Sequence, residues 1–177
     1  MKIDISVKEA ENVVRDCSYD YFTLPFGTVT LVSEGERLSR IDLSNSFHLI
    51  GQRNETPVIC DTKRWLDIYF SGTEPGFTPP LLLSGTPFRL KIWKMLTCIP
   101  YGTVISYGQL ASGAAMGRGG MSARAVGGAV GHNPIPIIIP CHRVVGSDGS
   151  LVGYTGGLYI KRILLETEGL EIDALKR

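Results

Sequence analysis

The sequence predicts a two-domain α+β protein, an N-terminal small sheet with one helix followed by a helical C-terminal domain. Three observations predict it. The length of 177 residues suits one large or two small domains. A hairpin pattern and then a helical pattern occupy the first half, and helical patterns dominate after residue 86. Between them, Gly72 to Pro87 carries prolines at 75, 79, 80 and 87, which reads as a connector. The expected domains are therefore residues 1–80 and 81–177. A composition of 44% hydrophobic and 20% charged residues, with 21 Gly and 10 Pro, can bury a core and excludes a mainly disordered chain. No apolar stretch approaches the roughly 18 residues of a membrane span, and the charged N-terminus does not read as a signal peptide. No membrane partner is expected, and the expected location is cytoplasmic, or nuclear in a eukaryote.

Taken in order, Phe26 to Leu43 holds two β-rich runs around Ser33-Glu34-Gly35-Glu36, a hairpin signal. Pro57 to Phe70 spaces Ile59, Trp65, Leu66, Ile68 and Tyr69 near a helical period, with Thr56 as N-cap and Gly72 as stop. After the connector, Thr86 caps a helix over Pro87 to Ile99, with proline in the first turn where its missing N–H costs nothing. Ser106, with Gln109 three residues on, is a capping box opening a short helix. Gly117 to Gly120 separates that helix from Ser122 to Val130, a run of small residues carrying Arg124. The pair resembles a helix-turn-helix. Small residues let a helix approach a sugar-phosphate backbone closely; they equally permit tight packing in a core, and the pattern leaves both readings open.

The four cysteines, Cys17, Cys60, Cys98 and Cys141, form no C-x-x-C pair, so neither a disulfide framework nor a zinc spacing is present. Charge is asymmetric beneath a net +1. Residues 1–85 hold 8 Lys and Arg against 12 Asp and Glu, a balance of −4, while residues 86–165 hold 8 against Asp148 alone, a balance of +7. A basic half suits a polyanion partner, and a chance imbalance is the plain alternative.

The densest chemistry lies between His132 and Val144. Three prolines bar a regular helix there, and four isoleucines bury an irregular segment that delivers Cys141 to a fixed place. A lone cysteine in an apolar run is ordinarily inert core. Here His142 and Arg143 follow it, and a neighbouring cation lowers a thiol's pKa, which points to a nucleophile.

Pro140-Cys141-His142-Arg143, preceded by Asn133-Pro134 and followed by Gly153-Tyr154 and Glu168-Gly169, resembles the O6-alkylguanine-DNA alkyltransferase family. The likeness runs in order through Ser84-Gly85-Thr86-Pro87-Phe88, Ile99-Pro100, Ser106-Tyr107-Gly108, Ala123-Arg124-Ala125-Val126-Gly127 and Leu164 to Gly169, about half the chain. The resemblance implies an RNase-H-like N-terminal fold and a winged-helix-like C-terminal one. It implies DNA repair by single displacement, in which Cys141 takes an alkyl group from guanine O6 in double-stranded DNA and keeps it as a thioether. O4-alkylthymine stays open as a second substrate. It further implies that His142 deprotonates the thiol through a water, that Glu168 orients His142, and that Asn133 pins the turn before the Cys loop. Tyr107 would protonate the departing base and help turn it out of the stack. Arg124 would fill the gap in the duplex, with Ser122 and Ala123 beside it on the DNA-binding helix. Pro136, Val144, Tyr154 and Thr155 would wall the pocket, with main-chain groups of Val144 and Thr155 reading the guanine edge. Thr155 stands where the family commonly has a smaller residue.

No cofactor and no metal are expected, since Cys17, Cys60 and His48 do not reproduce the zinc spacing of some members. The chain is too short for the fused Cys-rich domain of others. A monomer is expected. Two alternatives come from other classes: a non-catalytic lesion sensor, which Cys141, His142 and Glu168 argue against, and a Cys-His-Glu hydrolase, which would turn over.

Overall fold

The computed structural model describes residues 3–8, 15–44, 50–115 and 122–171. The expected Gly117 to Gly120 separator, Arg118 and His48 lie outside these residues. The chain divides into two compact units, Met1–Thr86 and Pro87–Arg177.

The first unit is a six-stranded sheet with one helix. Its strands are β1 (Ile5–Lys8), β2 (Arg15–Leu24), β3 (Gly27–Glu34), β4 (Arg37–Asp42), β5 (Ile50–Arg53) and β6 (Leu81–Ser84), and its helix is α1 (Pro57–Phe70). The strand order is β1-β6-β4-β3-β2-β5. β2, β3 and β4 run antiparallel in sequence, and the edges are parallel additions. The expected hairpin is β3 and β4, turned at Gly35, whose φ of 57° is left-handed backbone open to glycine without strain. Val29, Leu31, Leu38 and Ile41 from these strands are buried, as are Val58, Ile59, Leu66 and Tyr69 of α1, while Val32 is buried with Cys17 in a separate cluster. The helix has the expected bounds, but Thr56 at its N-cap makes no side-chain cap bond. Its hydroxyl is spent on the Ser33 hydroxyl, 3.1 Å away.

The expected boundary after residue 80 moves to Thr86. Leu81 to Ser84, assigned by sequence to the second domain, pairs in parallel with β1 and adjoins β4 at Leu38 in the first unit's sheet. Prolines at 79 and 80 end just where the strand begins, so breaker density describes the approach to an apolar strand and not a free linker.

The second unit holds α2 (Pro87–Leu96), α3 (Tyr107–Ala115), α4 (Ala123–Gly131) and α5 (Leu158–Thr167), together with the two-residue strands β7 (Ile105–Ser106) and β8 (Val144–Val145). α2 stops at Leu96, three residues before the expected end, and the chain leaves through tight turns to Ile99. α2 is the scaffold for the helix pair. Trp93 Nε1 donates to Ala129 O of α4 at 2.9 Å, and Lys91 Nζ donates to Ala114 O at the end of α3 at 2.6 Å. The capping box forms in both directions: Ser106 N donates to Gln109 Oε1 at 2.7 Å and Gln109 N donates to Ser106 Oγ at 3.1 Å. At α4, Ser122 Oγ accepts from Arg124 N at 3.2 Å. β7 pairs in parallel with β8, Ile105 opposite Val144, which pins the first turn of α3 beside the chain just after Cys141.

Among the described residues, no helix is long and apolar enough to cross a membrane.

Candidate active site

The segment from Asn133 to Arg143 is built by its own side chains. Asn133 Nδ2 donates to Ile139 O at 2.7 Å, and Asn133 Oδ1 accepts from Ile135 N at 3.0 Å, so one amide closes the loop from inside. Ile139 N donates to Ile135 O at 3.0 Å. Ile135, Ile137 and Ile139 are fully buried. Ile137 has φ of 75°, left-handed backbone for a β-branched residue, a local strain of order 1–3 kcal/mol that only a fixed surrounding holds. The loop ends in a single 3₁₀ turn, Cys141–Arg143, all three side chains buried.

Cys141 is 5% exposed, and burial pushes its thiol above the ordinary range. Four influences act the other way: the Asn133 amide, the Lys161 ammonium, the residue's own backbone and the Tyr154 hydroxyl. The expectation that His142 and Arg143 supply the activating cation is therefore corrected. Both turn away to one carboxylate. His142 Nε2 lies 2.7 Å from Glu168 Oε1. Arg143 donates from Nε to Glu168 Oε2 at 2.9 Å and from Nη2 to Oε1 at 3.0 Å. Arg143 Nη1 donates to Ile99 O at 2.6 Å, and Gly102 N donates to Glu168 Oε2 at 2.9 Å. Burial raises the Glu168 carboxyl, but the bonds and charges of His142 and Arg143 outweigh it and hold it at about 2. Burial lowers the pKa of His142, Glu168 raises it, and Arg143 and Lys161 lower it further, with a net downward shift.

The cation that bears on the thiol is Lys161, on α5, which sequence reasoning missed. It is fully buried, with Nζ donating to Val144 O at 2.6 Å and to Val152 O at 2.8 Å. Burial brings its ammonium down to about 8, and the charge of Cys141 acts upward. A lysine in the first turn of an amphipathic helix reads as solvated in sequence, and no spacing signal separates it from Arg162.

In front of this cluster is a cavity of about 580 Å³ lined by Tyr107, Ala123, Gly127, Gly131, Val152, Gly153, Tyr154 and Thr155. Tyr107 donates to Gly153 O at 3.3 Å; burial, and then the Cys141 charge, raise its phenol. Tyr154 is raised well above its ordinary range by burial and by Cys141. Thr155 Oγ1 donates to Gly131 O at 2.7 Å, tying the loop before α5 to the end of α4.

Of the four residues expected to wall the pocket, Tyr154 and Thr155 line this cavity and two do not. Pro136 is buried within the Cys loop, bridged to Ile139, and Val144 is fully buried with its carbonyl taken by Lys161; neither lines the cavity. Their places go to small residues of α4 and to Val152 and Gly153, which only the packing of α4 against the 152–155 loop brings together. Ser122, Ala123 and Arg124 are exposed at the start of α4.

Residues 87–170 match the family model described as 6-O-methylguanine DNA methyltransferase, DNA binding domain. A methylated-DNA–protein-cysteine methyltransferase of Mycobacterium tuberculosis is 42% identical over 147 residues, 81% of this chain and 87% of that protein. The Haemophilus influenzae protein of the same name is 39% identical over 155 residues, 85% of each chain. The crystal structure of Mycobacterium tuberculosis OGT in complex with DNA superposes with a TM-score of 0.74 at 40% identity, covering 85% of this chain and 92% of that one. Identity of this order across both units, on a fold that superposes over most of its length, leaves one conclusion: the chain belongs to the methylated-DNA–protein-cysteine methyltransferase family.

Proposed function

We propose that this protein repairs duplex DNA by moving an alkyl group from guanine O6 to the sulfur of Cys141. The observation that carries the reading is the buried Cys141 turn with its His142–Glu168 pair, set behind a cavity walled by the small residues of α4 and by two tyrosines. Guanine O6 is inaccessible inside a base stack, so the nucleotide turns out of the duplex into the cavity, at a cost of a few kcal/mol. Arg124, exposed at the start of α4, fills the gap.

Glu168 accepts from His142 Nε2, which leaves the lone pair of the neutral imidazole on Nδ1, the atom that takes the thiol proton, through a water. The thiolate attacks the alkyl carbon, an S–C bond forms, the C–O6 bond breaks, and the electron pair leaves with guanine. Tyr107 donates the proton that makes guanine a neutral leaving group. The thioether is not reversed, so each chain acts once. Lys161 and Asn133 stabilise the thiolate, and Asn133 also holds the loop. O6-alkylguanine is the substrate we assign.

The test is intact mass spectrometry of wild-type protein and Cys141→Ser after incubation with a duplex containing one O6-methylguanine. The expected gain is one methylene mass, about 14 Da, on wild type alone and mapped to the Cys141 peptide. Tight lesion binding with no gain in mass would make the chain a sensor, and product beyond one equivalent would make it a hydrolase.

A further inference from the structure

We propose that Arg143 is a positioning residue for the His142 base: its two-pronged clamp on Glu168 fixes the carboxylate and offsets its charge, so that the imidazole is held through Nε2–H in the neutral form. The inference rests on the reading of Cys141 as the alkyl acceptor and adds a residue that acts on it through Glu168 and His142.

The geometry leaves little freedom. Both Glu168 oxygens are occupied, Oε1 by His142 Nε2 at 2.7 Å and Arg143 Nη2 at 3.0 Å, Oε2 by Arg143 Nε at 2.9 Å and Gly102 N at 2.9 Å. Arg143 is itself tethered, through Nη1 to Ile99 O at 2.6 Å, and its guanidinium lies 5.7 Å from the Tyr101 ring centroid. Planar and doubly donating, the guanidinium fixes the plane of the carboxylate, and its permanent charge offsets the carboxylate's. The Tyr101 hydroxyl donates to Thr167 O at 3.0 Å, so the residue before Glu168 is anchored to the same turn as Gly102.

Charge completes the argument. A buried histidine facing one carboxylate gains a proton readily, because the resulting ion pair is favoured where water is excluded. An imidazolium has no lone pair and cannot serve as a base. The charged groups that face His142 are Glu168, at the end of α5, Arg143, in its own turn, and Lys161, on α5, with the Cys141 thiol adjacent. With Arg143 in place the carboxylate is already matched, and a proton on His142 would add a positive charge beside two others. Without it, Glu168 would draw that proton to the imidazole.

The experiment follows His142 by nitrogen-15 NMR in full-length protein, assigned against His142→Asn, in wild type, Arg143→Met, Arg143→Gln and Arg143→Lys, with folding checked by circular dichroism. Wild type is expected to show the neutral Nε2–H tautomer at pH values where an ordinary imidazole is already protonated. In R143M and R143Q the imidazole is expected to titrate about one pH unit higher or more, and R143K, which keeps the charge and loses the fork, to stay near wild type. Single-turnover transfer should fall in R143Q by up to about tenfold at pH values below both titrations, the ratio a one-unit shift gives, and recover as pH rises. His142 titrating in folded R143Q or R143M where it does in wild type, or R143K behaving as R143Q does, would overturn the proposal, as would a rate loss equal at every pH. Should R143M not fold, R143Q carries the same reading. The NMR arm needs no DNA, so failure of the alkyl-transfer reading shows separately, as absence of the mass gain in wild type.

Discussion

Glu168 shows how much one side chain holds. Its carboxyl sits at about 2 against 4.5 ordinarily, so its bonds to His142 and Arg143 contribute stability that is present above about 4.5 and lost as pH falls toward 2. The shift corresponds to about 3 kcal/mol. His142 adds to the same slope, because its folded value lies below 6.5 and the unfolded chain takes up that proton first as pH drops. Glu168→Gln strands the Arg143 charge in a buried site, a loss of about 3–5 kcal/mol near neutral pH. Calorimetry between about pH 7 and pH 3 should therefore find the Tm gap between wild type and E168Q narrowing below about pH 4.5. A gap constant with pH would mean that the carboxylate's charge is not what stabilises the fold.

At the scale of the element, α4 resolves an ambiguity its sequence leaves open. Val126, Ala129 and Val130 are buried, while Ala123, Arg124, Ala125 and Gly128 are exposed. The small residues thus serve two faces, one in the core and one outward. A Cβ at Gly128 would meet nothing within 4 Å among the described residues, so no packing among them demands glycine there. Gly128→Ala should raise stability by about 0.5–1 kcal/mol, the helix gain of alanine over glycine. If close approach to a nucleic-acid backbone is the reason for glycine, the same variant should bind duplex DNA less tightly while melting higher. Unchanged binding, measured by fluorescence anisotropy, would assign Gly128 no part in the interface.

For the whole molecule, the positive balance of residues 86–165 shrinks once burial is counted. Arg143 is matched to Glu168 and Lys161 is enclosed, so neither reaches a phosphate, and Lys91 is engaged with Ala114 O. Electrostatic binding to DNA should accordingly involve few phosphate contacts. With three or four, doubling the salt concentration weakens binding about tenfold. A salt titration with undamaged duplex measures the slope directly; a slope as steep as seven or eight contacts would require the buried cations to be exposed on binding.

The hairpin at Gly35, the helix at 57–70 and the capping box at Ser106 were legible in the sequence, and the resemblance to a known family pointed to His142 and Glu168, which the structure pairs. Each depends on local chemistry, namely turn conformation, side-chain period, a reciprocal cap three residues apart, or a short run of residue types that resembles a known family. What the tertiary structure decided was which groups meet. A parallel pair of two-residue strands brings Tyr107 toward Cys141, Arg143 turns from the thiol to Glu168 twenty-five residues on, and Lys161 becomes the cation at the sulfur. Leu81 to Ser84 joins a sheet whose other strands begin at residue 5. Charge neighbourhoods and strand partners depend on long-range packing, where burial removes water and makes each buried charge select its counterpart; no local pattern carries that information.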